Sequence, residues 1–295
     1  MSFRTHLNTI SHNNTLRKIT KPVSRHLQAS GILKALEPDP VLFESVAESN
    51  FPVVGDLFCS KQTFADYMGI SPREIIPVLS AAIENHTPPK IVPSAPCQEV
   101  IIDQPDLDKL PILFHCEGDG GKYITSGVMV SKHPQYGQNL DFHRCMQFSK
   151  TEMAVRVVKT RDFDTFLQDL GQVDVAICVG VAPNILVAAA TSVEIGLDEL
   201  EIANALEPFQ VVRAHISDLL IPAQAEFVIE GTVYRDRLHA EGPFVDLTET
   251  QDVVRQQPVL EVKCITHRRD PLWHALLPGG LEHKLLMGMP REPTI

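Results

Sequence analysis

The feature that most constrains the fold is a change of pattern near residue 110, after which short runs of β-branched and aliphatic residues dominate. Most runs are separated by turn residues, and the helical signals among them are confined to residues 183–190 and 197–206. Many short strands with few helices favour a barrel or a sandwich over a doubly wound parallel sheet. The predicted strands span residues 124–130, 153–158, 173–179, 209–212, 226–233 and 259–265.

The first hundred residues alternate β-rich runs with helical signals, which is typical of a small domain that mixes helices and strands. Residues 41–43 and 51–54 are predicted strands, and Ser2 is predicted to cap a short amphipathic helix. A capping box in Ser71-Pro-Arg-Glu74 predicts the clearest helix. The predicted buried face of that helix comprises Ile75, Ile76, Leu79 and Ile83.

A proline-rich stretch separates the two patterns. Residues 86–96 contain four prolines in eleven residues, and this composition predicts a linker. We therefore place the domain boundary near residues 95–110. The predicted class is α+β, with an N-terminal α/β domain over residues 1–105 and a β-rich domain over residues 106–280.

Charge and cysteine content exclude several classes of protein. The formal net charge of −11 argues against a nucleic-acid binder, because such proteins depend on basic contacts to phosphate. Six cysteines without a CxxC pair predict neither a disulfide framework nor a zinc site. The most apolar segment, residues 173–193, is interrupted by Asp174 and Pro183, so no membrane span is expected. A reduced, cytoplasmic protein is the simplest expectation.

Two polar segments are chemically suggestive. The first, Asn139-Leu-Asp-Phe-His-Arg144, follows a glycine-rich loop at residues 117–122 that could accommodate a phosphate or cofactor. From composition alone, an exposed hairpin loop is the more common outcome. In the second, Glu241 and Asp246 flank a rigid Gly-Pro turn, so their pKa values could be driven apart for proton transfer. Solvated surface carboxylates are the alternative.

Oxygen donors lie on three further segments, at Asn139, Asp162 and Glu199. Such ligands suit Mg²⁺, Mn²⁺ or Ca²⁺ better than zinc or copper. Spacing alone neither selects these residues nor brings them together. The histidines show no HExxH or similar metal-binding pattern.

Two blocks near the end of the β-rich part are specific. Within residues 219–231 the chain reads Pro-Ala-x-Ala-Glu-x-Val-x-Glu-Gly, and ten residues later residues 241–244 read Glu-Gly-Pro-Phe. In this order the blocks resemble the UbiD family of reversible decarboxylases, which use prenylated FMN. The resemblance implies an N-terminal α/β domain followed by a split β-barrel of the flavin reductase type that binds the cofactor. Further matching segments are residues 41–46, 51–58, 121–127 and 139–144.

The resemblance also assigns roles to residues. It implies that Arg144 binds the substrate carboxylate, for which its planar fork is suited. Glu241 would pair with Arg144, and Asp246 would donate a proton after CO₂ has left. The implied flavin contacts are Asn139, Asp141, Phe142, His143, Arg144, Arg161, Thr191, Ser192 and Val193.

In relatives, a divalent metal, usually Mn²⁺, bridges the flavin phosphate through an Asn, a His and a Glu. Here the implied ligands are Asn139, Asp162 and Glu199, with Asp162 at the position of the histidine. Aspartate binds the same hard cation but adds negative charge beside the phosphate. Mg²⁺ is an alternative metal, and K⁺ is a further candidate cation.

The resemblance implies non-oxidative, reversible decarboxylation of an α,β-unsaturated or aromatic carboxylic acid. A flavin prenyltransferase would supply the cofactor. Family members usually continue into a C-terminal α/β domain, so residues 281–295 are expected to begin the linker to it. Two alternatives stay open: a flavin-binding subunit that is active only with a separate C-terminal-domain chain, and a metalloenzyme without flavin. A homo-oligomer is a further candidate assembly.

Overall fold

The computed structural model describes residues 2–13 and 15–294, and its largest element is an antiparallel nine-stranded sheet. The long strand Arg255–His267 lies between Phe227–Glu241 and Glu152–Val155, and Gln172–Val179 lies on the far side of Phe227–Glu241. Register shifts interrupt the pairing of the two longest strands, and such bulges bend and twist a sheet. The sheet curls into a half-barrel. The other strands are Val100–Ile102, Lys122–Ile124, Val128–His133, Gly137–Phe142 and Cys145–Gln147.

Both faces of this sheet are covered by apolar packing. Val128 and Val130 belong to one hydrophobic cluster, whereas Met129, between them, belongs to another. This alternation follows from the two-residue period of a strand, which sends successive side chains to opposite faces. The mixed architecture, with a small N-terminal part and a curled sheet, confirms the predicted α+β class.

A second sheet joins the N-terminal part to residues that follow the half-barrel. It contains Arg17–Ile19, Val41–Phe43, Val53–Gly55 and Trp273–Ala275 in that order. Trp273–Ala275 pairs in parallel with Val53–Gly55, although more than two hundred residues of sequence separate them. The strand predicted at residues 51–54 is therefore present with a shift of its boundaries.

The stretch 86–96, predicted as a linker, contains a strand, so that prediction was wrong in part. Lys90–Val92 pairs in parallel with residues 210–212, and Leu220–Pro222 completes a three-stranded sheet. The prolines at positions 89 and 93 flank the strand and do not interrupt it, so they remove no ladder hydrogen bond within it.

The clearest predicted helix is confirmed, with one correction. Ser71 and Glu74 form the capping box at the 3₁₀ turn Pro72–Glu74, which leads into helix Ile75–Glu84. The predicted burial of Ile76 was wrong, because this side chain is 42% exposed. The helix buries a narrower face than the apolar spacing indicates, formed by Ile75, Leu79 and Ala82.

A helix that was not predicted matters for the site. Asp162–Leu170 buries Phe163, Phe166 and Leu167, and it ends at Gly171 in the left-handed conformation. This helix is short and lies between two strand-like runs, so the periodicity of its apolar residues is a weak signal. This helix places Asp162 in its first turn.

The predicted cap of the first helix is confirmed, whereas helices Gln28–Leu36 and Lys61–Met68 had no individual prediction and helix Leu281–Gly288 lies in the segment expected to begin a linker. Ser2 caps helix Phe3–His12 by accepting a hydrogen bond from the backbone N–H of Thr5. No helix within residues 2–13 and 15–294 is both long and apolar enough to cross a bilayer. The other helices are Gln28–Leu36, Lys61–Met68, Pro183–Ala189, Glu199–Leu206 and Leu281–Gly288; Phe244–Val245 and Gln251–Asp252 form a hairpin, and 3₁₀ turns occupy Pro96–Gln98, Leu107–Lys109 and Met289–Thr294.

Candidate active site

A mostly buried guanidinium lies at the centre of the site. Arg144 follows strand Gly137–Phe142, and its Nε and Nη2 donate to Glu241 Oε1 and Oε2 at 2.9 and 3.2 Å. Glu241 ends strand Phe227–Glu241 and is fully buried. The Tyr123 hydroxyl donates to the same carboxylate at 3.2 Å. The two-point contact fixes the orientation of the guanidinium plane.

Two further carboxylates bind the same guanidinium. Nη1 of Arg144 donates to Asp246 Oδ2 and Nη2 to Asp252 Oδ2, each at 2.9 Å. Burial disfavours the charged guanidinium, but the hydrogen bonds and charges of its carboxylate partners raise the pKa of Arg144 overall. Burial likewise opposes ionisation of Asp252, yet Arg255 and Arg144 lower the pKa of that carboxyl to about 2. Arg144 therefore stays charged with its donors occupied.

The Gly-Pro turn after Glu241 positions these carboxylates. Gly242 has φ +98°, a conformation that residues with a Cβ rarely adopt. Gly120, in the glycine-rich loop, lies so close that a Cβ there would meet the Gly242 carbonyl oxygen at 2.1 Å. Gly120 also donates its N–H to Pro243 O at 2.7 Å. The loop therefore supports the carboxylate turn, which is neither of the two roles considered for it from sequence.

A cavity of about 220 Å³ opens beside Arg144. Arg144 and Asp246 line it, whereas Glu241 lies behind Arg144 and is fully buried. The Phe244 ring lies under the guanidinium, with its centroid 4.5 Å from Cζ. This first cavity thus combines a cation with a half-exposed carboxylate. Its other lining residues include Thr125, Phe142, Arg156, Leu276, His283 and Met287.

A second cavity of about 200 Å³ adjoins the first, since Phe142, Val158 and Met287 line both. Except for Arg144, which lines the first cavity, every residue assigned to flavin contact from sequence lines the second. These residues are Asn139, Asp141, Phe142, His143, Arg161, Thr191, Ser192 and Val193.

The three implied metal ligands, Asn139, Asp162 and Glu199, also line the second cavity. Asn139 Nδ2 is buried and has no hydrogen-bond partner among the described residues. Glu199 is buried, which raises the pKa of its carboxyl well above the ordinary value, although its Oε2 accepts the N–H of Leu140 at 2.8 Å. Burial also raises the pKa of Asp162. The carboxylate oxygens of Asp162 and Glu199 fit a hard cation, whereas the unpartnered Nδ2 of Asn139 is an N–H donor that fits an anion such as phosphate.

These acidic groups surround the second cavity and do not meet at one point. Among the described His, Cys, Asp and Glu side chains, no three at this cavity bring their ligand atoms within 4.8 Å of one another. Asp141 adds a carboxylate whose Oδ1 is buried without a partner in the described structure, while its Oδ2 lies 2.8 Å from His143 Nε2. His143 Nδ1 lies 3.0 Å from the Arg156 carbonyl oxygen. Burial lowers the pKa of His143, but Asp141 and this carbonyl raise it overall.

Sequence reasoning missed Asp252 and Arg156. Asp252 reaches Arg144 because its short strand pairs with Phe244–Val245, where it lies opposite Phe244. Arg156 follows strand Glu152–Val155 and lines the first cavity. No motif marks either residue, because both positions depend on the path of the folded chain.

Comparison with known families gives two matches along the chain. The UbiD model, described as the 3-octaprenyl-4-hydroxybenzoate carboxy-lyase Rift-related domain, matches residues 90–281. The model of the N-terminal domain of the same carboxy-lyase matches residues 7–83. Together they cover both the N-terminal part and the sheet that carries the site.

Individual relatives agree with the family models. The anhydromevalonate phosphate decarboxylases of Methanosarcina mazei and Methanocaldococcus jannaschii are each 38% identical over 100% and 90% of this chain. The alignments span 69% and 63% of those relatives' own lengths. An evolved dimeric form of the UbiD-class enzyme HmfF from Pelotomaculum thermopropionicum, solved with prFMN, superposes with TM-score 0.96 at 32% identity, over 99% of this chain and 71% of that one.

Proposed function

Because this chain belongs to the UbiD carboxy-lyase family, we propose that it catalyses the non-oxidative, reversible decarboxylation of an α,β-unsaturated or aromatic carboxylic acid with prenylated FMN. The observation that carries the proposal is the ion pair of Arg144, which lines the first cavity, with the fully buried Glu241. A fixed guanidinium next to an apolar wall suits a carboxylate that must be held in one orientation.

In this proposal Arg144 binds the substrate carboxylate through Nη1, the donor that Asp246 occupies in the structure. Asp246 is the carboxylate free to leave, since its side chain is 47% exposed while that of Glu241 is fully buried. Glu241 keeps Nε and Nη2 in place during this exchange. Once displaced, Asp246 takes up a proton from solvent and donates it to the product carbon after CO₂ has left.

The second cavity would hold the cofactor. Residues 191–193 would lie along the flavin, Arg161 would contact it, and a divalent cation at Asn139, Asp162 and Glu199 would neutralise the phosphate. Mn²⁺ is the proposed ion, Mg²⁺ is the alternative, and K⁺ is a further candidate. When bound, the prenylated flavin supplies the electron sink for decarboxylation. Buried Asp141 Oδ1, which has no partner among the described residues, supports a cation here, and the unpartnered donor Asn139 Nδ2 supports a phosphate.

A second positively charged side chain in the first cavity, Arg156, favours one class of substrate. The Arg156 guanidinium lines the first cavity, where its Nη1 donates to the carbonyl of Val157 and its Nε lies 4.0 Å from Asp252. It is therefore less neutralised than Arg144. The decarboxylases from the two methanogens are named for a phosphorylated acid. We propose an unsaturated acid that carries a phosphate, with Arg156 binding the phosphate.

The test is to express the chain together with a flavin prenyltransferase and to record its absorbance spectrum, the intact mass of its cofactor and CO₂ release. We expect bound prenylated FMN, turnover of phosphorylated unsaturated acids, and a KM raised about tenfold or more by Arg156→Gln for those acids only. Equal effects on acids without phosphate would contradict the role of Arg156. A colourless protein would contradict the flavin assignment.

The same experiment separates the subunit alternative. The chain is assayed alone and mixed with candidate C-terminal-domain chains. Flavin binding without CO₂ release by the chain alone, followed by activity in a mixture, would assign it as the flavin-binding subunit of a two-chain enzyme. Activity of the chain alone would exclude that alternative.

A further inference from the structure

Three side chains from separate segments converge away from both cavities. Asp103 follows strand Val100–Ile102, His215 lies in the turn after Gln210–Arg213, and Cys264 lies within Arg255–His267. Asp103 Oδ1 is 3.6 Å from His215 Nε2 and 3.9 Å from Cys264 Sγ. Among the described His, Cys, Asp and Glu side chains, this is the group of three whose ligand atoms all lie within 4.8 Å of one another.

Two of the three distances are close to those of a tetrahedral metal site, and His215 and Cys264 bring their ligand atoms within 4.8 Å of each other. Bonds of about 2.0 Å to nitrogen and oxygen and about 2.3 Å to sulfur place neighbouring donors about 3.3 to 3.5 Å apart. The two distances from Asp103 exceed this by only a few tenths of an ångström. Asp103 and His215 are exposed, so small side-chain rotations can close the gap, whereas Cys264 is held in the sheet.

We propose that Asp103, His215 and Cys264 bind Zn²⁺, with water in the fourth position. A mixed sulfur, nitrogen and oxygen donor set suits this borderline ion and disfavours Mg²⁺ and Ca²⁺. On binding, the Cys264 thiol releases its proton to solvent and a sulfur–zinc bond forms, with no change of oxidation state. One carboxylate and one thiolate then balance the two charges of the ion.

The surroundings hold two of the ligands in position. Glu230 is fully buried, and its two carboxylate oxygens accept the N–H groups of His215 and Ile216 at 2.8 and 3.0 Å. Glu230 also lies directly opposite Cys264 on the neighbouring strand. The turn that carries His215 is thereby fixed to the strand next to the thiol, and the ion would join three segments of the chain.

The experiment is a titration of the protein as purified with Co²⁺, followed by difference absorbance. We expect a thiolate-to-cobalt charge-transfer band in the near ultraviolet that saturates at one Co²⁺ per chain and disappears when Zn²⁺ is added. Cations bound by the oxygen donors of the second cavity give no such band. Cys264→Ser should abolish it, and His215→Ala or Asp103→Ala should weaken Co²⁺ binding about tenfold or more.

Two controls keep the result specific. Cys59→Ala removes a half-buried thiol elsewhere, and His86→Ala removes another histidine that pairs with a carboxylate; neither should change the band. His215 and Asp103 are exposed, so their variants should fold even if Cys264→Ser does not. Absence of the band from the wild type, or a band that survives both His215→Ala and Asp103→Ala, would overturn the proposal.

Discussion

The two adjoining cavities differ in how their buried charges are compensated. Beside the first, Arg144 is bound by Glu241 and two other carboxylates, so the charges are paired within the protein. Around the second, Glu199 has a strongly raised carboxyl pKa, and buried atoms of Asn139 and Asp141 have no partners among the described residues. The protein alone completes the first arrangement, whereas the second is suited to completion by a cation and a phosphate.

The largest effect is expected from a substitution that removes one of the carboxylates paired with Arg144. Glu241→Gln removes the charge that holds Nε and Nη2 of Arg144, so the guanidinium should lose its orientation. We expect decarboxylation to fall by about 10²-fold or more while flavin absorbance is retained. CO₂ release and the flavin spectrum of the same preparation are the measurements.

The matched control is Glu261→Gln, because Glu261 is a half-exposed glutamate on the neighbouring long strand. Its activity should match that of the wild type. Circular dichroism shows whether each variant is folded, since removing one partner of a buried ion pair costs about 3–5 kcal/mol. A folded, flavin-bound Glu241→Gln protein with full activity would contradict the role of this residue.

The next largest effect is expected at the second cavity, where buried polar groups lack partners within the protein. Glu199→Gln removes a buried carboxylate from the second cavity, so Mn²⁺ affinity should fall by about tenfold or more. Glu201→Gln, on the same helix but partly exposed and paired with His86, should leave it unchanged. Titration of Mn²⁺ by electron paramagnetic resonance is the measurement. Equal affinity in both variants would show that the second cavity does not bind the ion through Glu199.

The smallest effect is expected from Asp252, the third carboxylate that binds Arg144. Because the carboxyl pKa of Asp252 is depressed to about 2, this group stabilises the fold above its ordinary pKa, and that stabilisation is lost as pH falls toward 2. Asp252→Asn should therefore lower the free energy of unfolding by about 1 kcal/mol at pH 7. The difference from the wild type should shrink as the pH falls from 5 toward 2.

Urea denaturation across this pH range measures the effect of Asp252→Asn. The control is Asp218→Asn, whose exposed ion pair with Lys132 should contribute almost nothing. A difference between Asp252→Asn and the wild type that does not vary with pH would show that the contacts of Asp252 with Arg144 and Arg255 do not stabilise the fold through its charge.

Local features of the fold were predictable where neighbouring residues decide them. The caps at Ser2 and Ser71 follow from side chains that reach backbone groups within three residues. The strand at Lys90–Val92 was missed because its partner lies more than a hundred residues away, and flanking prolines resemble a linker. Helix Asp162–Leu170 was missed because three buried residues give a weak periodic signal.

In the candidate site, too, some residues could be predicted from motifs and others could not. The segment around Asn139 and the Glu-Gly-Pro-Phe block could be singled out, since both resemble family motifs. The residues assigned to flavin and metal all line one of the two cavities, but their roles stay predictions. Asp252 and Arg156 could not be found from the sequence because no motif includes them.

The α+β class, the family, the caps at Ser2 and Ser71 and part of the longest strands follow from the sequence alone, because these depend on residue types, specific motifs and short-range periodicity. Which charges meet depends instead on how the whole chain folds. Glu241 and Asp252 lie 97 and 108 residues from Arg144 along the chain, and the sheet register and the hairpin after Gly242 bring them to one guanidinium. Contacts over such separations depend on the whole chain path, which local patterns do not specify.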